Sequence, residues 1–329
     1  MADRFALGRV RSMGRVARGA MGEVHRLVTD VGAYAVKRGF WREDPDDAVE
    51  SRARFEVGFV ERCRGAGVPA PRPVRAADGS VIARDAAGTG WRVHHFARGS
   101  VPHRTDHTAQ RWVLEQGALI HGLALEPAPG DAVHEYYRTS TVDWSELAER
   151  AEAAGADWAP GLRARAAELT ELGAWATSVP LGDLVLCHRD LKADNTLLGP
   201  DGLRWLLDWD DVGAHDPARE VGTVLLHHVP DEAALGALAT AYGAAGGVEL
   251  PEGPELFASG AAVWLNFLAG QVGVLVDPDS EPEHREFAEP KVRGLLDDLP
   301  GRTVLGRSGR VAGQAANRER GRRPLTMGP

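Results

Sequence analysis

The chain has 329 residues, 43% of them hydrophobic, and a formal net charge of −9, which is compatible with one large domain or two modest ones. Its last 29 residues carry seven Arg and one Glu, so the preceding part of the chain carries −15. Such an acidic body argues against nucleic acid as a substrate and is compatible with a cationic one, while short, interrupted apolar runs predict no membrane span.

The N-terminal region is predicted to be a small antiparallel sheet. Residues 10–38 alternate apolar and polar side chains between glycines, which indicates three strands. The first turn contains Gly19 and Gly22, a spacing that on its own favours an ordinary hairpin. The third strand, 33–37, ends on Lys37 after an apolar Tyr-Ala-Val run.

A helix is predicted to follow over residues 46–64, because Phe55 and Phe59 have helical spacing and a Gly-Ala-Gly stop begins at Gly65. A proline-rich stretch, 68–73, then favours an extended connection.

The rest of this region is predicted to return to strands. The Asp78-Gly79 turn, between 74–77 and 81–83, predicts a hairpin, and 91–96 predicts the last strand, with Gly99 as a hinge.

The larger C-terminal part is predicted to be mostly helical. Asp106 is expected to cap a helix that ends near Leu123, and residues 127–141, irregular and polar, are a candidate for substrate-facing structure. Further helices are predicted over 144–153, 161–177, 218–229, 231–245 and 255–275.

Two charged segments end the chain. The acidic segment 277–298 is interpreted either as a rim that binds amines or as a solvated helix face. From Gly301 onward Gly, Arg, Ser and Pro dominate without an apolar period, so residues 301–329 are predicted to be a disordered basic tail.

One stretch, 184–216, concentrates residues that suit phosphate chemistry. Asp190 precedes Asn195 by five residues, and two short apolar runs joined by a Gly-Pro-Asp-Gly turn predict a hairpin that ends on Asp208. That hairpin would bring Asn195 and Asp208 to one end, where oxygen ligands suit Mg²⁺, while a further carboxylate can accept a proton from an attacking hydroxyl. Phosphoryl transfer requires this layout.

The same stretch carries a family resemblance. Residues 188–195 match the kinase catalytic-loop pattern H-R-D-L-x-x-x-N, and Asp208 follows at the metal-binding place. Trp209 replaces the Phe of D-F-G, no A-P-E follows, and an Asp-Pro pair stands at 216–217. The chain therefore resembles the aminoglycoside phosphotransferase and choline kinase-like family of the protein kinase-like superfamily.

The resemblance implies a bilobal α+β fold. A small antiparallel-sheet N-terminal lobe, 1–98, would bind the nucleotide, and a mostly helical C-terminal lobe, 99–300, would carry the catalytic loop and the acceptor.

The resemblance also implies roles for individual residues in ATP-dependent O-phosphorylation. Asp190 would be the catalytic base and His188 a structural brace, while Asn195 and Asp208 would hold Mg²⁺. The nucleotide-binding residues would be Gly19 and Gly22 over ATP, Lys37 on the phosphates, Glu56 (with Glu50 as the alternative) holding Lys37, and backbone groups around His95 and Ala97 at the adenine.

The acceptor is predicted to be a small hydroxylated molecule, with an aminoglycoside or another basic antibiotic as the first choice, and no nucleic acid or membrane partner is predicted. Choline, homoserine and sugar-like metabolites stay open, as do a protein kinase, which Arg189 and Lys192 favour, and a nucleotide-binding pseudokinase. Cys63 and Cys187 lack metal-ligand spacing, and the N-terminus lacks an apolar signal core, so a cytoplasmic protein with reduced thiols is expected.

Overall fold

The computed structural model describes residues 1–19, 22–39, 46–86 and 88–322. The strands in this part of the chain are β1 (Val10–Arg18), β2 (Gly22–Thr29), β3 (Ala33–Gly39), β4 (Ala83–Arg84), β5 (Gly90–His95), β6 (Val185–Cys187), β7 (Thr196–Leu198), β8 (Arg204–Leu206) and β9 (Gly213–His215). The helices are α1 (Asp46–Gly65), α2 (His107–Gly122), α3 (Trp144–Ala153), α4 (Ala159–Ser178), α5 (Pro217–Leu226), α6 (Glu232–Ala244), α7 (Ala258–Val276), α8 (Pro282–Asp298) and α9 (Arg302–Arg322).

The chain divides into two compact units whose boundaries differ from the predicted ones. The first unit combines 1–109 with 192–212, and the second combines 110–191 with the chain from 213 onward. The β7–β8 hairpin joins the first unit because Leu206 N–H donates to the Pro69 carbonyl oxygen at 2.8 Å and Leu198 bridges to Ser100. The prediction of two contiguous lobes that meet at residue 98 was therefore incomplete, because it did not assign residues 192–212 to the first unit.

The first unit contains the predicted antiparallel sheet. Its strands lie in the order β1-β2-β3-β5-β4, and neighbouring strands are antiparallel. Alternate side chains of the inner strands form an apolar core that includes Leu27, Tyr34, Val36, Trp91 and Val93. The first three predicted strands, helix α1 and the last strand are confirmed.

The predicted hairpin around Asp78 is only partly correct. Ala76 N–H donates to the Ser80 carbonyl oxygen at 2.9 Å, and Gly79 has a φ of 78°, so the turn exists. The regular strand starts later, as β4, and pairs with β5 instead of with residues 74–77. The turn chemistry was visible in the sequence, but the pairing partner was not.

The second unit is mostly helical, as predicted, around a short β6–β9 pair. Residues 254–276, which include α7, are long and apolar enough to cross a membrane by length and composition, with a mean hydropathy of 1.5. However, α7 packs against α4, α5 and α8, and a core helix satisfies the same test. This stretch is therefore interpreted as the central helix of the unit.

The basic C-terminal segment corrects a prediction. Residues 302–322 form helix α9, which packs on α6, so the prediction of disorder is wrong for them. The buried side of α9 has a helical period that consists of Leu305 and a set of small residues, namely Ser308, Gly309, Ala312, Gly313 and Ala316. A Cβ at Gly309 would lie 2.0 Å from the Gly253 carbonyl oxygen, so close backbone approach docks the helix together with the buried side chain of Leu305.

Candidate active site

The β7–β8 hairpin brings the two predicted metal ligands to one end. Leu207 N–H donates to the Asn195 carbonyl oxygen at 2.8 Å, and Asp208 is the next residue along the chain. An amide oxygen and a carboxylate are hard donors of the kind that Mg²⁺ prefers, so the donor set fits this ion.

Asp208 has an unusual backbone conformation. Its φ of 60° and ψ of 61° lie in the left-handed region, which costs a residue other than glycine on the order of 1 kcal/mol or more. The following Trp209 is buried, donates its indole N–H to the Leu206 carbonyl oxygen at 3.0 Å and packs 6.0 Å from the Phe59 ring. The Trp that replaces the expected Phe therefore stabilises the turn that holds Asp208 in place.

Lys37, on β3, pairs with two carboxylates. Its Nζ lies 2.5 Å from Asp208 Oδ1 and 2.6 Å from Asp210 Oδ2. Burial lowers the pKa of Lys37, but the charges of Asp210 and Asp208 outweigh burial and raise it, so the ammonium stays protonated. The chain has 35 Arg and only three Lys, at positions 37, 192 and 291, so lysine is rare in it and Lys37 stands out among its cationic residues.

The predicted ion pair between Glu56 and Lys37 is wrong for this structure. Glu56 instead pairs with Arg52 at 3.1 Å and with Arg92 Nη1. The reason is the register of β3 and β5, which places Arg92 directly opposite Lys37, so that a guanidinium reaches the Glu56 carboxylate. The alternative, Glu50, accepts the N–H groups of residues 81 and 82 and is not the partner of Lys37 either.

Burial raises the pKa of Glu56 to about 7, against the opposing charge of Arg92. The guanidinium groups of Arg92 and Arg52 favour the ionised form of Glu56 and partly offset the effect of burial. Arg92 also lies 3.3 Å from Asp210 Oδ1, and Arg52 Nη2 donates to the Asp210 carbonyl oxygen at 3.0 Å. Asp210, the residue after Trp209, had no predicted role.

The remaining residues that are predicted to bind the nucleotide lie in a turn and at the ends of strands. Gly19 N–H donates to the Gly22 carbonyl oxygen at 2.9 Å, and the two residues between them lie outside the described part of the chain. A Cβ at Gly22 would lie 2.5 Å from the Arg38 carbonyl oxygen, so strand packing alone requires glycine there. His95 N–H donates to the Arg72 carbonyl oxygen at 2.9 Å, and the adenine roles of His95 and Ala97 stay predictions.

The first half of the catalytic loop, residues 188–191, belongs to the second unit and is braced from within it. Asp190 N–H donates to His188 Nδ1 at 3.3 Å, which agrees with a structural role for this buried histidine. Arg189 has a φ of 67°, and its backbone N–H donates to Glu220. The carboxylate of Glu220 thereby holds the strained residue next to Asp190.

Behind Glu220 lies a buried hydrogen-bonded chain that sequence analysis missed. His121 Nε2 is 2.6 Å from Glu220, and His121 Nδ1 is 2.9 Å from the Tyr242 hydroxyl, which accepts the Val248 N–H. Burial raises the pKa of Glu220, but the hydrogen bond from His121 and nearby histidine charges together outweigh burial. The net effect is a lowered pKa, so the carboxylate is ionised. The only signal in the sequence was an acidic residue three positions after the Asp216-Pro217 pair.

Cys187 completes this region. Its Sγ lies within 4.8 Å of the ligand atoms of His121 and Glu220, a spacing that suits a metal ion. Burial raises the pKa of the Cys187 thiol, and Sγ–H donates to the His215 carbonyl oxygen at 3.7 Å. A protonated thiol beside an already hydrogen-bonded His–Glu pair is a structural arrangement, so we assign no metal here.

Residues of the 127–141 segment reach the catalytic loop inside the second unit. The Arg189 guanidinium lies 4.5 Å from the centroid of the Tyr137 ring, a cation–π distance. Asn266 on α7 fixes this segment by donating to the carbonyl oxygens of Tyr136 and Thr139 at 2.9 and 2.8 Å. The acidic segment 277–298 instead exposes its carboxylates along α8, which favours the interpretation as a solvated helix face.

An antiparallel sheet that presents a lysine to carboxylates, and a helical unit with an H-R-D loop, define the protein kinase-like fold. The chain belongs to the phosphotransferase enzyme family, whose family model matches residues 14–257. A homoserine kinase from Rhodospirillum rubrum is 31% identical over 225 residues, which are 65% of this chain and 64% of that protein. The match thus spans somewhat less than two thirds of the homoserine kinase.

Solved structures confirm the fold. Spectinomycin phosphotransferase in complex with ADP and spectinomycin superposes with a TM-score of 0.65 at 11% identity, covering 93% of each chain. An aminoglycoside phosphotransferase from Alicyclobacillus acidocaldarius gives 0.60 at 14% identity, covering 94% of this chain and 93% of that one. Amicoumacin kinase gives 0.55 at 15% identity, covering 89% and 91%. The predicted bilobal α+β class is correct.

Proposed function

We propose that the protein transfers the γ-phosphoryl group of ATP to a hydroxyl of a small molecule. The observation that carries this proposal is the pair between Lys37 and Asp208, at 2.5 Å, at the end of the hairpin that follows the catalytic loop. A lysine for phosphates beside a carboxylate for a metal ion is the electrostatic core of phosphoryl transfer.

Asp190 orients the acceptor hydroxyl and accepts its proton. The hydroxyl oxygen forms a bond to the γ-phosphorus, the bond to the bridging oxygen breaks, and ADP leaves with that electron pair. Asn195 and Asp208 are the residues that would hold Mg²⁺, which when bound neutralises charge on the phosphates. Lys37 contacts the phosphates, Gly19 and Gly22 shape the turn above them, and backbone groups near His95 and Ala97 bind adenine.

The proposed acceptor is cationic, with an aminoglycoside or another basic antibiotic as the first choice. The support is charge: the first unit has a net charge of +3 and the second, which carries Asp190, has −12. A carboxylate-rich unit raises the local concentration of a cation. The sequence likeness to a homoserine kinase favours a second candidate, a small hydroxylated amino acid.

We keep the predictions of a cytoplasmic location and of no nucleic acid or membrane partner as parts of this proposal. A protein kinase and a pseudokinase are its rivals. The intact set of Lys37, Asp190, Asn195 and Asp208 supports an active enzyme over a pseudokinase.

Transfer of radiolabel from ATP to a panel of acceptors tests the proposal. The panel contains an aminoglycoside, a basic peptide antibiotic, homoserine, choline and a generic protein substrate. We expect label in a small molecule with wild-type protein and not with Asp190→Asn. Label in the protein substrate alone would support a protein kinase, and label nowhere, despite ADP binding, would support a pseudokinase.

A further inference from the structure

The first unit contains a chain of alternating charges that ends on the proposed phosphate-binding lysine. In order it runs from Glu56 to Arg92, then to Asp210 and finally to Lys37. The last link, between Asp210 Oδ2 and Lys37 Nζ, is 2.6 Å long, and the link between Arg92 and Asp210 is 3.3 Å long.

This series of alternating charges is supported at its buried end, which is Glu56. Glu56 is 5% exposed, so it needs charged partners, and it has two in Arg92 and Arg52. Arg52 in turn donates to the carbonyl oxygens of Asp210 and Val212, at 3.0 and 2.7 Å. Asp210 is thus held by a guanidinium at its side chain and by another at its backbone.

We infer that Asp210, anchored through Arg92 by Glu56, is the residue that positions Lys37 for the nucleotide phosphates. This inference rests on the proposed function, because it takes Lys37 as the phosphate contact. Asp208 also touches Lys37, but its assigned partner in the nucleotide complex is the metal ion. Asp210 is the carboxylate that has its own anchors in the helix α1 and strand β5.

The physical gain from this arrangement is preorganisation. A lysine has four rotatable side-chain bonds, and a lysine that is fixed before the reaction loses less entropy when it contacts the phosphates. Because Arg92 stands between Glu56 and Asp210, removal of either Arg92 or Asp210 should release Lys37 to a similar extent.

The scarcity of lysine makes the inference directly measurable. Protein labelled with ¹³C at lysine gives side-chain signals from Lys37, Lys192 and Lys291 alone, which Lys→Arg variants assign. With ADP bound, the two protons on the Lys37 Cε should have separate shifts in wild type, because the side chain is fixed. In Asp210→Asn and in Arg92→Met they should average to one shift.

The control is an exposed ion pair that involves another glutamate of α1. Arg75 pairs with Glu61 of α1 at 2.9 Å, so Arg75→Met removes the same kind of group without touching the chain of charges. It should leave the Lys37 signal split, and the Lys291 signal should be unchanged in every variant.

If Asp210→Asn does not fold, the same measurement is made on Arg92→Met and Glu56→Gln.

Turnover gives a second measurement. With an active acceptor, kcat should fall about tenfold in Asp210→Asn and in Arg92→Met, and no further in the double variant, because both remove one positioning device. Adenosine affinity should not change, whereas general damage to the fold would weaken it.

Three results would overturn the inference: a Lys37 signal that stays split in Asp210→Asn, losses that add in the double variant, or an effect that appears only with Mg²⁺, which would make Asp210 a metal ligand. Failure of the proposed function looks different. In that case ADP would perturb the Lys37 signal no more than adenosine does, in wild type as well as in the variants.

Discussion

At the scale of single residues, the candidate site combines a local sequence motif with contacts that depend on the register of distant strands. His188, Asp190, Asn195 and Asp208 follow from spacing along one stretch of chain. The partner of Lys37 depends on which side chain stands opposite it in the sheet, and the β3–β5 register that places Arg92 there is a long-range property. Glu56 was therefore found, but with the wrong partner.

Asp190→Asn should lower turnover by about two orders of magnitude or more, because the amide cannot accept the hydroxyl proton. ADP affinity should stay close to wild type, since Asp190 is assigned to the acceptor and not to the nucleotide. Steady-state kinetics together with calorimetry of ADP binding measure both effects. Unchanged turnover would remove Asp190 from the mechanism.

Asp208→Ala should weaken nucleotide binding when Mg²⁺ is present, because a metal ligand is lost. ADP binding should be titrated with Mg²⁺ and with a chelator, for the variant and for wild type. The difference between the two proteins should be large with the metal and small without it. Equal affinities for the magnesium complex would contradict the assignment.

Buried His215 should make the protein less stable in acid. Burial lowers its pKa to about 4, against the charges of Glu220 and Asp216, and the ring is 1% exposed. In the unfolded chain the ring takes up a proton near pH 6.5. The free energy of unfolding should therefore fall by up to about 3 kcal/mol as the pH drops from 6.5 toward 4.

Chemical denaturation at a series of pH values checks this expectation. His215→Gln should reduce the slope of stability between pH 6.5 and 4. The slope will not vanish, because His94, whose pKa burial also lowers to about 4, acts in the same direction. An identical slope in the variant would show that folding does not lower the pKa of His215.

At the scale of elements, the sequence was most informative where turn or capping residues marked the ends. The Gly-Pro-Asp-Gly turn located the β7–β8 hairpin, and Asp106 caps α2 with its side chain, as expected. Helix α9 was missed because its buried positions other than Leu305 are Gly, Ala and Ser, which do not produce the pattern of large apolar residues that indicates a helix.

The docking of α9 leads to a prediction about stability. Ending the chain at Gly301 should lower the melting temperature, because the faces of α6 and of the 251–253 segment that α9 covers would be exposed. The fully buried Leu305 gives a milder test, and Leu305→Ala should cost about 2–5 kcal/mol. Exposed Arg310→Gln is the matched control and should change stability by less than about 0.5 kcal/mol.

At the scale of the whole molecule, charge is divided between the two units. The first unit, which holds Lys37, has a net charge of +3, and the second has −12 even though it includes the basic helix α9. The overall acidity was evident from composition. Its concentration in the second unit was not, because the units are discontinuous along the chain.

This division of charge predicts how the acceptor responds to salt. Carboxylates attract a polycationic acceptor over a distance comparable to the Debye length, about 10 Å at 0.1 M ionic strength. The KM of a basic antibiotic should therefore rise as ionic strength increases, while the KM of a neutral acceptor should hardly change. The comparison requires acceptors that the enzyme phosphorylates, at one fixed concentration of magnesium and ATP.

The same experiment separates the two acceptor classes. A zwitterionic acceptor such as homoserine has no net charge, so its KM should be nearly independent of salt. If the best acceptor is neutral or anionic and its KM is insensitive to salt, the −12 charge of the second unit has no role in acceptor binding. The assignment as a small-molecule phosphotransferase would survive that result, because it rests on Lys37, Asp190 and Asp208 and not on the net charge.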